Sequence, residues 1–150
     1  MALKARIKDE MKAALLSGDR FVGETLRNLT AAILDEEVKL GKRDEGLSDE
    51  EIEKVVAREV KKRNESAKIY RDNNRLDLAE PEEREIEILQ AYLPKQLDET
   101  ELATIIEAKI AELGVTGPQA MGQVIGAVKK QVGNAADGAA IARIVKQKLN

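Results

Sequence analysis

Three observations predict an all-α chain, a multi-helical N-terminal domain followed by a small three-helix C-terminal domain. Apolar residues recur at three- and four-residue spacing along most of the sequence, and no segment alternates apolar and polar residues as a half-buried strand would. The 150 residues are 43% hydrophobic and 35% charged, rich in Ala, Leu, Glu and Lys, which favour helix and suffice for a core. Gly and Pro gather at the ends of the periodic runs, where helices stop and start.

Leu3, Ile7, Met11, Ala14 and Leu15 form the first stripe, closed by Gly18 where a left-handed cap belongs. A second helix is predicted from Arg20 to Leu40, with Val22, Leu26, Leu29 and Ile33 on one face and Leu34 and Val38 on another. Two apolar faces predict packing between neighbours. Gly41 to Leu47 reads as a turn, after which Ser48 and Glu51 have capping-box spacing and open a third helix to about Asn73. Pro81 suits the first turn of a fourth helix carrying Ile86, Leu89 and Tyr92 inward, and Pro94 is expected to end it.

That proline places the domain boundary, giving 1–93 and 97–150. In the second part Asp98 and Glu101 form another cap-like pair. Leu102, Ile105, Ile106, Ile110 and Leu113 make a fifth stripe closed by Gly114. Thr116 is expected to cap a sixth helix through Lys130, residues 133–136 to loop across, and Asp137 to cap the last helix, with Ile141, Ile144, Val145 and Leu149 on one side.

Absences narrow the chemistry. The chain has no His and no Cys, so it can form no Cys/His or Ser/His relay, no disulfide and no zinc site of nitrogen and sulfur ligands. No phosphate loop of the Walker or dinucleotide type occurs, and acidic pairs such as Glu82 with Glu85 are expected on a solvated helix without catalysis. No catalytic residue, metal ligand or cofactor is assigned. One Phe, two Tyr and no Trp are too few for a base-stacking platform. The charged start MALKARIKDEMKAALL resembles neither a signal peptide nor a membrane span, so the expectation is a cytoplasmic protein without a membrane partner.

The net charge of −3 conceals a local excess, since from Met121 onward there are five basic residues and one acidic one. Lys129 and Lys130 close the sixth helix, and Arg143 and Lys146 lie on the polar side of the last, so these four are the candidate nucleic-acid contacts. Asp137 is expected to occupy the free amides there, leaving any RNA contact to side chains. Gly122 and Gly126 each cost helix stability, which predicts a close approach, first of all by a crossing helix and otherwise by a phosphate backbone or partner. The basic face of helix three, Lys54, Arg58, Lys61, Lys62 and Lys68, is interrupted by Glu51 and Glu65 and reads as solvated. Glu59 and Arg63 instead fall among Ile52, Val56, Ala67 and Tyr70 and are expected to pair.

NRLDLAEPEEREIEILQAYLPKQLDETEL (74–102), MGQVIGAVKKQVGNAADG (121–138), LRNL (26–29), KKRNES (61–66) and the final IVKQKL together resemble the GatB/YqeY family over essentially the whole chain. The resemblance implies similarity to the tail of the B subunit of glutamine-dependent aminoacyl-tRNA amidotransferase, an appendage that helps hold tRNA while the chemistry occurs elsewhere. It thereby implies a non-catalytic module whose partner is tRNA or a tRNA-handling enzyme, with no DNA expected. Two alternatives stand beside it: a protein–protein adaptor, or a participant in carbon–nitrogen ligase activity with glutamine as amido-N-donor.

Overall fold

The computed structural model describes residues 2–150, and every regular element among them is helical. The chain divides into two compact units, one ending at Leu93 and one from Pro94 to Asn150.

The first unit contains α1 (Ala2–Leu16), α2 (Arg20–Lys39), α3 (Asp49–Asp72) and α4 (Leu76–Gln90). Gly18 takes φ +85° after α1, and the Asp19 amide then reaches the Ala14 carbonyl at 2.9 Å, closing the helix and turning the chain into α2. Gly23 faces α1, where a Cβ would lie 2.4 Å from Leu15 Cδ2 and require that side chain to shift. Ser48 Oγ accepts from the Glu51 amide and starts α3. Ile7, Leu26, Leu29, Ile52, Val56 and Leu89 are fully buried at the centre of this unit.

Three expectations change here. The second apolar face of α2 is not covered: Leu34 is 41% and Val38 58% exposed, whereas Glu37 is buried at 2%. Helix α4 starts five residues before Pro81. Asn74, at φ +57°, ends α3 and restarts the chain so soon that Pro81 falls inside α4, where its missing amide leaves one carbonyl, in the exposed first turn, for water to satisfy. At the other end α4 stops at Gln90 rather than at Pro94, because Tyr92 and Leu93 tighten into turns through bonds to the Leu89 and Gln90 carbonyls.

The second unit contains α5 (Glu99–Leu113), α6 (Met121–Val132) and α7 (Gly138–Leu149), with short 3₁₀ turns at Pro118–Ala120 and Gly133–Ala135. Both halves of the Asp98–Glu101 capping box are formed, and Gly114 closes α5 in the left-handed region. Leu102, Ile106, Val124, Val128, Ile141 and Val145 make the core. Thr116 does not cap α6. Gly117 adopts φ +83° and Pro118 begins a 3₁₀ turn, so the regular helix waits until Met121.

Candidate nucleic-acid interface

Val124 and Val128 point α6 into the core of the second unit and thereby fix what faces outward. Gly122 and Gly126, one turn apart, are both exposed, and a Cβ built on either would meet nothing within 4 Å. The expected crossing helix is therefore absent: these glycines keep the outer face of α6 low without any neighbour in this unit requiring it. Lys129 and Lys130 flank that strip on either side of the helical wheel.

The four candidate cations are not equivalent. Arg143 forms an ion pair with Glu99 of α5, and Lys148 pairs with Glu107 of the same helix at 2.6 Å, so α5 neutralises part of the charge on α7. No hydrogen bond or ion pair among the described residues engages the ammonium group of Lys129, Lys130 or Lys146. Lys129 reaches across to α7, since a Cβ on Gly138 would lie 3.3 Å from its Cε and 3.4 Å from its Nζ. Its ammonium thus lies against the first turn of α7, the positive end of that helix dipole.

Asp137 stands at the N-cap position with extended backbone, but its side chain accepts no bond from the first turn. The backbone of Asp137 is extended like that of the capping residues Ser48 and Asp98, so the expected cap is missing at the level of the side chain alone. Lys129 and the uncapped amides thus bring positive charge to the start of α7, where Asp137 is the adjoining residue. Sequence reasoning missed Glu99 and Glu107: the pairs cross 44 residues in one case, and no local spacing announces them.

In the first unit about half of the basic side chains are tied to carboxylates or rings. Lys4 Nζ lies 2.8 Å from the buried Glu37 carboxylate. The expected Glu59–Arg63 pair is formed at 3.1 Å, and Arg63 also donates to Glu85 at 2.6 Å, a partner on α4 that the sequence did not suggest. Burial opposes the Arg63 charge, but Glu85 and Glu59 outweigh it and hold its pKa above the ordinary value. The Tyr92 hydroxyl donates to Glu10, which also receives Arg6, and Arg6 lies 4.9 Å from the Tyr92 ring centroid. On the basic face of α3, Arg58 is bound to Glu36, while Glu51 is held by Lys42. Among the described residues no cluster of acidic side chains is arranged to hold a metal ion, and no helix is long and apolar enough to cross a membrane.

The Yqey-like protein family matches residues 4–149. The chain is also similar to proteins named "altered inheritance of mitochondria protein 41, mitochondrial". The Clavispora lusitaniae protein is 33% identical over 65% of this chain and 57% of its own length. For Lachancea thermotolerans the figures are 30%, 73% and 56%, and for Eremothecium gossypii 33%, 75% and 61%. The chain thus spans under two thirds of the length of these relatives, and the compartment in their names is said of them. A match over nearly every residue, on an all-helical chain that carries the family's landmarks in order, places this protein in the YqeY-like family.

Proposed function

We propose that the chain is a non-catalytic tRNA-binding or tRNA-enzyme accessory module of a cytosolic setting, with Lys129, Lys130, Arg143 and Lys146 as its phosphate contacts. The observation that carries this reading is the outer face of α6, where exposed Gly122 and Gly126 lead to Lys129 and Lys130, whose ammonium groups no carboxylate among the described residues pairs with. A phosphodiester backbone can approach such a strip closely, and the ammonium groups lie where they would meet it. The resemblance to an amidotransferase tail supports the same polymer as ligand. Arg143 joins by exchange, because an exposed pair with Glu99 is worth only about 0 to 1 kcal/mol and a phosphate can replace the carboxylate.

Measuring affinity for purified tRNA across salt tests this. Each phosphate contact contributes roughly −0.7 to −0.9 to the log–log slope, so three lysines give about −2 to −3, with roughly one more from Arg143. Replacing Lys129, Lys130 and Lys146 by Gln is expected to flatten the slope by about 2 to 3 without changing the unfolding midpoint. The same change at Lys54, Lys61 and Lys68 is expected to matter less. An absence of tRNA binding at low salt, or full affinity in the α6–α7 variant, would overturn the reading.

A further inference from the structure

The start of α7 carries a chemistry that depends on no partner. Nine aspartates occur in the chain, and Asp137 is the only one followed by Gly. In such a pair the second residue has no side chain to shield its amide nitrogen or to restrict the backbone around it. Whether the pair is free to react is decided by what the fold does with the carboxylate.

Three aspartates stand at helix N-cap positions, and two of them are held. The Asp19 carboxylate accepts from the Val22 amide at 3.3 Å, and that of Asp98 from the Glu101 amide at 2.7 Å. Each bond turns the carboxylate toward the amide three residues on and away from the one next in the chain. Asp137 is exposed, and no hydrogen bond or ion pair among the described residues engages its carboxylate. Held neither by a cap nor by a cation, it can turn onto the Gly138 amide, a first-turn donor that has no acceptor inside the helix. The Asp137 backbone, at ψ 137°, must swing for the two to join, and a helix end without a cap opens more readily than a helix centre.

We infer that Asp137–Gly138 is a site of spontaneous aspartate isomerisation. The Gly138 amide nitrogen adds to Cγ of the protonated Asp137 carboxyl. A C–N bond forms, and the carboxyl OH departs with the amide hydrogen as water, leaving a cyclic imide. Water then adds at one of the two imide carbonyls, and the C–N bond there breaks. Opening at Cγ restores aspartate. Opening at the backbone carbonyl leaves isoaspartate, in which the chain runs to Gly138 through the former side chain. One water leaves and one returns, so the composition is unchanged and no oxidant, reductant or further reactant is needed.

The product changes the entry into α7. The Ile141 amide donates to the Asp137 carbonyl at 3.1 Å, the bond that opens the helix. In isoaspartate that carbonyl becomes a free carboxylate on a branch, and an added methylene lengthens the path to Gly138. The bond is lost and α7 starts later.

The experiment incubates the full chain at neutral pH and physiological temperature, once native and once unfolded in urea. Isoaspartate is followed by enzymatic carboxyl methylation and located by fragment-ion mass spectrometry of the tryptic peptide 131–143. In the native chain it is expected at 137 alone, forming at a rate within about tenfold of that in the unfolded chain. Gly138→Ala, whose methyl meets only the flexible end of Lys129 at 3.3 Å, is expected to fold and to slow the reaction about tenfold or more. Asp137→Asn is expected to gain the mass of deamidation at the same residue, through the same imide. No isoaspartate at 137 in the native chain, isoaspartate spread over the other aspartates, a Gly138→Ala chain that reacts as fast as the native one, or an Asp137→Asn chain that keeps its mass would each overturn the inference.

Discussion

In the unit ending at Leu93, oppositely charged side chains are placed face to face across helices, Lys4 with Glu37, Arg63 with Glu85 and Arg58 with Glu36, and along single helices, Arg63 with Glu59 and Arg6 with Glu10. In the unit from Pro94 to Asn150, α5 supplies carboxylates to Arg143 and Lys148 of α7 and to its own Lys109, while among the described residues the ammonium groups of Lys129, Lys130 and Lys146 stay unengaged. The first unit has far more basic residues than the second, and several of them, Lys54, Lys61, Lys62 and Lys68 of α3 included, are held by no ion pair among the described residues; what sets the second unit apart is the exposed glycine strip that leads to its unengaged lysines. A count of charge along a sequence measures supply. Availability depends on what the fold sets opposite each group, and water screening makes the exposed pairs weak while leaving the buried ones costly to break.

The largest effect that separates the units is expected at the buried pair. Lys4→Met strands Glu37 in the core, which costs about 3 kcal/mol when one partner of a buried pair is removed. Thermal or urea unfolding that moved by less than a surface lysine change does would show that Glu37 is not held by Lys4. Next comes Arg63→Ala, expected to destabilise by about 2 kcal/mol because two carboxylates lose a shared partner, against about 0.5 kcal/mol or less for exposed Lys61→Ala. Equal midpoints for these two variants would remove the contrast between interior and surface charge.

The glycines sharpen the comparison from the other side. Gly126→Ala has open space for its methyl and is expected to stabilise by about 1 kcal/mol, the helix preference of alanine, while weakening tRNA binding if the strip is a contact. Gly23→Ala should show none of that gain, since Leu15 has to move aside. The smallest effect is the pH dependence of Glu10. The Tyr92 hydroxyl, and after it Arg6, hold its carboxyl below the usual range, so it stabilises the fold above the unfolded pKa of about 4.3 and loses that contribution as pH falls through its depressed folded pKa. Glu10→Gln is expected to lower the unfolding midpoint slightly near pH 7 and leave it unchanged in strong acid. A variant that differs from the native chain equally at both ends of that range would refute the link.

What the sequence determined by itself is local. Helix content, the left-handed closures at Gly18 and Gly114, the caps at Ser48 and Asp98 and the buried stripes of α5 and α7 all arise within a few residues, where backbone hydrogen bonding and helical spacing leave little choice. The candidate cations were legible too, as a run of basic residues. The tertiary structure decided which of them are taken: Arg143 meets Glu99 and Lys148 meets Glu107 only because α5 packs beside α7. It likewise left Leu34 and Val38 in water, set Gly122 and Gly126 on an open face, absorbed Pro81 into α4 and withheld Asp137 from its cap. The exposures and the open glycine face depend on which neighbours pack where, and the Asp137 cap on how one side chain is placed, and neither is encoded in spacing along one helix.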